Sequence, residues 1–372
     1  MKKILFGSSL VLMCALFGSC QKDVVDVPQP IQQEDAILRA EADQEIAARK
    51  AQASSFQKQY GNEIGDANAG KRKNQNLVEV AQSLPIFQSL VAAVVKTGLA
   101  PVLASADLNA TVFAPTNLAF SKLDVPFNNA ANISAISDPA QIAALKNILL
   151  YHVLGAEVKA EQVANGRSSA LTLKPVVLPN DNRIYFSKSL GQIFVNGNSF
   201  VQLANVDATN GVIHIVDDVL LPPTQTIAQI AISNPAFSSL VAALVKTELA
   251  AVFAGTGDFT VFAPTDDAFA QLPAPFNNAA NIAAISNADQ VKALSNILRY
   301  HVTGSRYFTW DLGILDPIQT LADAPSNTLI GILGKNRGHI KGNQNKSFAT
   351  ISPANILAVN GVVQVVNKVL LP

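Results

Sequence analysis

The sequence carries one long pattern twice, and this repeat restricts the fold more than any other feature. TVFAPTNLAF at 111–120 returns as TVFAPTDDAF at 260–269. Phe113 and Phe262 lie 149 positions apart, as do His152 and His301, while Asn210 and Asn360 lie 150 apart. A period of this length is the size of a whole domain rather than of a solenoid unit, so the chain holds two tandem copies of one globular domain. Only Pro222-Pro223-Thr224 joins them, a linker short enough to restrict motion between the copies.

Within each copy helices come first and strands later. Phe87, Leu90, Val91, Val94 and Val95 recur at helical spacing, as do Phe237, Leu240, Val241, Leu244 and Val245. Pro85 and Pro235 stand near the first turn, where proline is tolerated. Thr111-Val112-Phe113 and Thr260-Val261-Phe262 are short β-rich runs. Pro115 and Pro264 end them, because proline has no N–H for a ladder. Thr116 and Thr265 are placed to cap a following helix. PFNNAANI is identical at 126–133 and 275–282. Asp138 and Pro139 then open another helix, with Ile142, Leu145 and Leu149 inward and Tyr151-His152 at its end. Residues 183–186, 192–195 and 200–203 are alternating or β-branched runs between Gly/Asn turns. Asn210-Gly211 is a hairpin turn signal, and 212–221 is the closing strand. The fold class is α+β.

Three of these features together resemble the fasciclin domain family. FAPTNLAF and FAPTDDAF are similar to its first signature motif, its Tyr-His pair stands at Tyr151-His152 and Tyr300-His301, and its closing motif stands as NGVIHIVDDVLLP (210–222) and NGVVQVVNKVLLP (360–372). Asn117 departs from the usual acidic residue, which the second copy keeps as Asp266. The resemblance covers 76–372 and implies two tandem fasciclin-like domains, at 76–222 and 224–372, each a β-wedge of about seven strands with packed helices. It implies a non-enzymatic role in adhesion or matrix binding. It also implies an adhesive part for Tyr151, His152, Tyr300 and His301. The residues by themselves favour core for these four positions, since an aromatic and a histidine at a helix end usually pack inward.

Residues 1–19 read as a signal peptide and stand outside the fold. Lys2 and Lys3 precede an apolar stretch at 4–17, too short for a stop-transfer helix. It ends in Leu16-Phe17-Gly18-Ser19-Cys20, which resembles a bacterial lipoprotein signal with Cys20 as the lipidated residue. The alternative is a secreted protein cut near Ser19. Gln21-Lys22-Asp23 resembles the surface-export signal of some Gram-negative lipoproteins, or is simply a polar start to a tether. The expected location is the outer membrane, lipid-anchored at the cell surface; the alternative faces the periplasm. Residues 20–75 read as a tether: extended at Val27-Pro28-Gln29-Pro30, helix-forming over 32–60, then Gly/Asn-rich to Lys71-Arg72-Lys73. Ile37, Ile46, Phe56 and Tyr60 give the helix only a weak apolar stripe, and it either stands in a stalk or packs on the first domain.

The residue inventory argues against several chemistries. Lysine plus arginine and aspartate plus glutamate both number 27, so no basic surface is expected for nucleic acid. The two cysteines are Cys14 within the leader and Cys20 at the expected lipidation point, leaving no disulfide and no thiol nucleophile beyond them. A zinc site needs three or four ligands. The first copy offers His152 and His214, and Gln364 replaces the latter in the second copy. No nucleophile elbow, phosphate loop or HExxH occurs. No metal, cofactor or enzymatic activity is expected.

After His301 the second copy departs from the first. Tyr307, Phe308 and Trp310 gather aromatics, and Lys335, Arg337, His339, Lys341 and Lys346 suggest a basic loop. Trp310 either offers a stacking platform for a sugar or fills the wedge. Two functions are therefore weighed: an adhesive surface protein whose partner is extracellular matrix or a surface polysaccharide or protein, and a glycan-binding accessory of an outer-membrane polysaccharide uptake system.

Overall fold

The computed structural model describes residues 29–64, 74–323, 328–334 and 337–372. Cys20, the leader, the run 71–73 and Lys335 lie outside the described residues. The first copy builds one seven-stranded sheet from β1 (Ala110–Pro115), β2 (Val153–Leu154), β3 (Gly166–Leu171), β4 (Arg183–Ser189), β5 (Gln192–Val195), β6 (Ser199–Ala208) and β7 (Gly211–Val216). Their order in space is β2-β1-β7-β6-β5-β4-β3. The first and last strands pair in parallel, with Phe113 opposite His214; the other pairs are antiparallel.

The second copy repeats this plan with β8 (Phe259–Pro264), β9 (Val302–Thr303), β10 (Ile314–Gln319), β11 (Thr328–Gly334), β12 (Arg337–Lys341), β13 (Ala349–Ile351), β14 (Ile356–Ala358) and β15 (Gly361–Val366). β8 and β15 pair in parallel, as β1 and β7 do. The expected seven strands become eight here. The place of the single long β6 is taken by two short strands, β13 and β14, which both pair with β15 across the Ser352-Pro353 break. Proline cannot donate to a ladder, which accounts for the interruption.

The helices cover one face of each sheet. In the first copy Phe87, Phe120, Ile133, Leu145 and Leu149 pack on Val112, Ala114, Ile213 and Ile215. The opposite face buries Phe113, Tyr151, Ile184, Phe186, Val195 and Val216. Strand side chains alternate between faces, so β1 and β7, covered on both, are buried throughout and apolar apart from Thr111 and His214. The second copy has the same two-sided core. Thr116 and Thr265 cap the short helices that follow their strands, accepting from Ala119 N–H at 3.2 Å and Ala268 N–H at 3.3 Å. Asn117, the departure from the motif, accepts from Ser89 N–H at 2.9 Å; Asp266 accepts from Ser239 N–H at 2.7 Å. Either residue holds the start of the neighbouring helix. Val95 and Val245 lie outside the apolar face that their spacing suggested and are exposed.

One asparagine in each copy ties the fold together. Asn210 accepts from Leu77 N–H at 2.9 Å and donates to the carbonyls of Leu103 and Ser105. Asn360 makes the same three bonds to Ile227, Phe253 and Gly255. The following glycine has φ +146° in the first copy, where a Cβ would stand 2.0 Å from the Ala110 carbonyl oxygen. Only glycine allows this close approach.

Helix α1 (Gln29–Ile64) spans 36 residues, about 54 Å at 1.5 Å per residue. Gln29 and Pro30, expected to be extended, lie in its first turn, where proline costs no hydrogen bond. The helix docks on both copies. Leu38 is buried with Ile332 and Phe348 of the second, and Glu34 accepts from Phe348 N–H at 3.2 Å. Further along, Phe56, Tyr60 and Ile64 join the helical core of the first copy. Between them Arg49 bonds Glu45 at 3.0 Å and Asp217 at 3.4 Å, and its guanidinium lies 5.9 Å from the Phe200 ring centre. Burial pushes the Asp217 carboxyl above its ordinary range, although the Phe200 N–H bond opposes this. The stripe looked weak in sequence because a buried charge cluster occupies its middle, and Ile37 points to solvent.

Candidate functional site

The Tyr-His pairs lie inside the domains. Tyr151 and Tyr300 are fully buried, and His152 and His301 are 2% exposed. The Tyr151 hydroxyl donates to the Arg183 carbonyl at 2.7 Å and accepts from Asn196 at 3.1 Å. Tyr300 donates to the Thr328 carbonyl and accepts from Asn343 N–H. His152 Nε2 accepts from Leu220 N–H at 2.8 Å, so the proton sits on Nδ1, which donates to the Ile148 carbonyl at 2.7 Å. His301 repeats this between Leu370 and Ile297. A second proton would face a backbone donor, and burial pushes both histidines down to about 4. In this folded state the four residues that the resemblance connected with adhesion present no surface to a partner.

His214 is also bonded at both nitrogens. Nδ1 accepts from Asn205 N–H at 3.1 Å and Nε2 donates to the Val158 carbonyl at 2.8 Å. Gln364, its replacement, accepts from Asn355 N–H at 2.8 Å and donates to the Tyr307 carbonyl at 2.9 Å. The substitution preserves one acceptor and one donor at the same place. Among the described residues no three histidine, cysteine, aspartate or glutamate side chains gather as a metal site would require.

The aromatic run of the second copy forms the joint with the first. Trp310 stacks on Phe194 with ring centres 3.8 Å apart and 11° between planes. That ring face is therefore taken by protein. The Arg167 guanidinium lies 3.8 Å over the Tyr307 ring and donates to the Arg306 carbonyl at 2.8 Å. Arg306 lies 4.3 Å over Tyr185, donates to the carbonyls of Ala358, Val359 and Gly361, and pairs with Asp258. Asn355 reaches across to the Gly197 carbonyl and the Asn198 side chain, both at 3.1 Å. Beside these contacts lies a cleft of about 430 Å³ lined by Arg167, Tyr185, Asp258, Arg306, Phe308 and Asp311. Burial pushes the Asp311 carboxyl up to about 6.

The basic segment is not the loop its composition suggested. Residues 337–341 form strand β12, with Gly338 and Ile340 buried and His339 and Lys341 on the other face. Period-two alternation was present in RGHIK but was masked by its glycine and charges. His339 Nε2 lies 3.8 Å from Glu41 of α1, and Lys341 Nζ lies 5.3 Å from the Phe348 ring centre. Lys346 is exposed. The side chain of Arg337 lies outside the described set. Sequence reasoning missed Arg167, Tyr185, Phe194 and Asn355. Their partners belong to the other copy, and no local pattern reports such pairing.

Two measurements test these roles. Denaturant unfolding of His214→Gln is expected to fall within about 0.5 kcal/mol of the parent, because glutamine makes both bonds. His214→Ala leaves two buried backbone groups unpaired and should cost about 2 kcal/mol. For His152 and His301, the unfolded chain takes up protons near the ordinary value of 6.5 and the folded chain only near 4. Their stabilising effect is thus present above 6.5 and is lost as pH falls from 6.5 to 4, by up to about 3 kcal/mol each. Melting followed across this range should show the loss, and His152→Gln should about halve it, leaving the His301 share.

The sequence matches the family model described as "Fasciclin domain" over residues 85–222 and 235–372. Protein sll1483 of Synechocystis sp. is 37% identical over 147 residues, covering 40% of this chain and 73% of its own length. Transforming growth factor-beta-induced protein ig-h3 of Sus scrofa is 27% identical over 267 residues, covering 70% of this chain and 34% of its own length. Among solved structures, a FAS1 domain pair from the insect cell adhesion molecule fasciclin I aligns at 20% identity with TM-score 0.36, covering 75% of this chain and 95% of that one. With a full fasciclin match in each of its two copies, the chain belongs to the fasciclin domain family.

Proposed function

We propose that this protein is a non-enzymatic adhesion or matrix-binding protein, held at the outer membrane through lipid on Cys20 and displayed at the cell surface. The observation that carries the reading is the state of the repeated Tyr-His pairs: every ring nitrogen and hydroxyl in them is buried and already bonded within the domain. Groups held in this way brace a scaffold and are not poised for turnover. What the protein offers a partner is then the outer surface of two fasciclin domains, joined by α1 and by the Trp310–Phe194 stack. The acyl chains of the leader motif supply the anchor in this reading. In this reading Cys20→Ala removes the protein from the detergent phase on partitioning. Unchanged partitioning of the variant would sink the anchor.

The interdomain cleft supports a second reading, glycan capture. Exposed Arg167 offers donors there and Asp258 and Asp311 acceptors, a combination suited to sugar hydroxyls. A glycan array should then give hits that weaken about tenfold or more in Arg167→Ala. An array without hits, or hits indifferent to this change, leaves adhesion through protein contacts.

A further inference from the structure

The loop between β3 and β4 of the first domain is built with its polarity reversed. Leu173, Pro175, Val176, Val177, Leu178 and Pro179 are exposed, Val176 by 64% and Val177 by 74%, as is Leu171 at the end of β3. The polar Thr172 and Lys174 between them are buried. A buried ion pair fixes this arrangement. Lys174 Nζ lies 2.7 Å from the Asp181 carboxylate, with side chains 6% and 3% exposed. The same carboxylate accepts from Val177 N–H at 3.1 Å and Leu178 N–H at 2.9 Å, and Lys174 also donates to the Pro175 carbonyl. The apolar side chains are thus held outward by a framework that spends two charges on the interior of the loop.

The fold does not require this device. Leu173 N–H bonds the Val153 carbonyl, and Leu321 N–H bonds the matching Val302 carbonyl in the second domain. The Tyr151 hydroxyl meets the carbonyl of Arg183, and that of Tyr300 meets Thr328. Between these marks the first domain has nine residues, 174–182, and the second has six, 322–327, with no Val-Val-Leu run.

We infer that this loop is a membrane-contact element that dips into the hydrocarbon edge of a lipid bilayer. Three observations select the bilayer. The tip is aliphatic and lacks the tryptophan, tyrosine or arginine that anchor most protein interfaces. Much of its backbone is already free of unmet donors and acceptors: Pro175 and Pro179 have no N–H, those of Val177 and Leu178 are bonded to Asp181, and the carbonyls of Pro175 and Leu178 accept from Lys174 and from Asp181 N–H. Finally, Cys20 and Gln29 stand nine positions apart, a reach of about 30 Å. The start of α1 is therefore held within that reach of a membrane; this last point alone rests on the lipid-anchored reading. Exposed apolar patches of this kind mark contact sites in general.

The test uses residues 21–372, which contain every described residue and carry no acyl chain, so the outcome is independent of Cys20. Flotation with phosphatidylcholine vesicles is measured for this chain, for Val176→Asp combined with Val177→Asp, and for Leu190→Asp, a change at an exposed leucine elsewhere. The parent and Leu190→Asp are expected to float, in high salt as in low. The double variant should partition about tenfold less or worse, with an unchanged melting curve because both valines are exposed. A parent that stays with the soluble fraction, or a double variant that floats as well as the parent, overturns the proposal. So does a parent that stays soluble but forms a dimer abolished by the double variant, which would assign the loop to a second copy of the chain.

Discussion

Each domain depends on a parallel pairing between strands that open and close it. β1 lies beside β7, and β8 beside β15, about 100 residues apart in sequence. Closing so long a loop costs entropy that local contacts do not return. Asn210 and Asn360 offset that cost by fixing the closing turn to three separate segments through one side chain. The glycine after each asparagine lets the neighbouring backbone approach. The cores on both faces of the sheet then have a common frame, and His152, at the end of the helix Pro139–Tyr151, secures the segment after the last strand to it.

Much of this frame was legible because its signals are local. Thr116 caps the helix its position announced, Asn210-Gly211 turns a hairpin, and the 149-residue period marks two domains of one fold. The meaning of two internal differences was not legible. Asn117 and Asp266 differ in charge, yet each accepts a backbone N–H from the adjacent helix. His214 and Gln364 look like a ligand kept in one copy and lost in the other, yet they serve the same donor and acceptor. Composition describes charge and metal affinity well, but it does not report which hydrogen bonds a buried side chain is asked to make.

What escaped the sequence was the relation between the domains. Trp310 stood out as the only tryptophan, and its partner Phe194 is one phenylalanine among 18. Arg167, Tyr185 and Asn355 carry no pattern of their own and acquire a role only when the other domain supplies a ring or a carbonyl. Helix α1 was hidden for a related reason. Its contact stripe passes from Leu38 to Phe56 through Glu45 and Arg49, so a scan for apolar periodicity finds a gap where the structure has an ion cluster.

The path of α1 also sets an order of assembly. Its later turns rest on the first domain, whose residues follow it in the chain, whereas Leu38 rests on Ile332 and Phe348, about 300 residues further on. As the chain emerges, the second half of the helix finds its seat early, and the first half waits until nearly the whole protein has been made. The N-terminal helix is thus among the last parts to settle, and its seating reports that the C-terminal domain is in place.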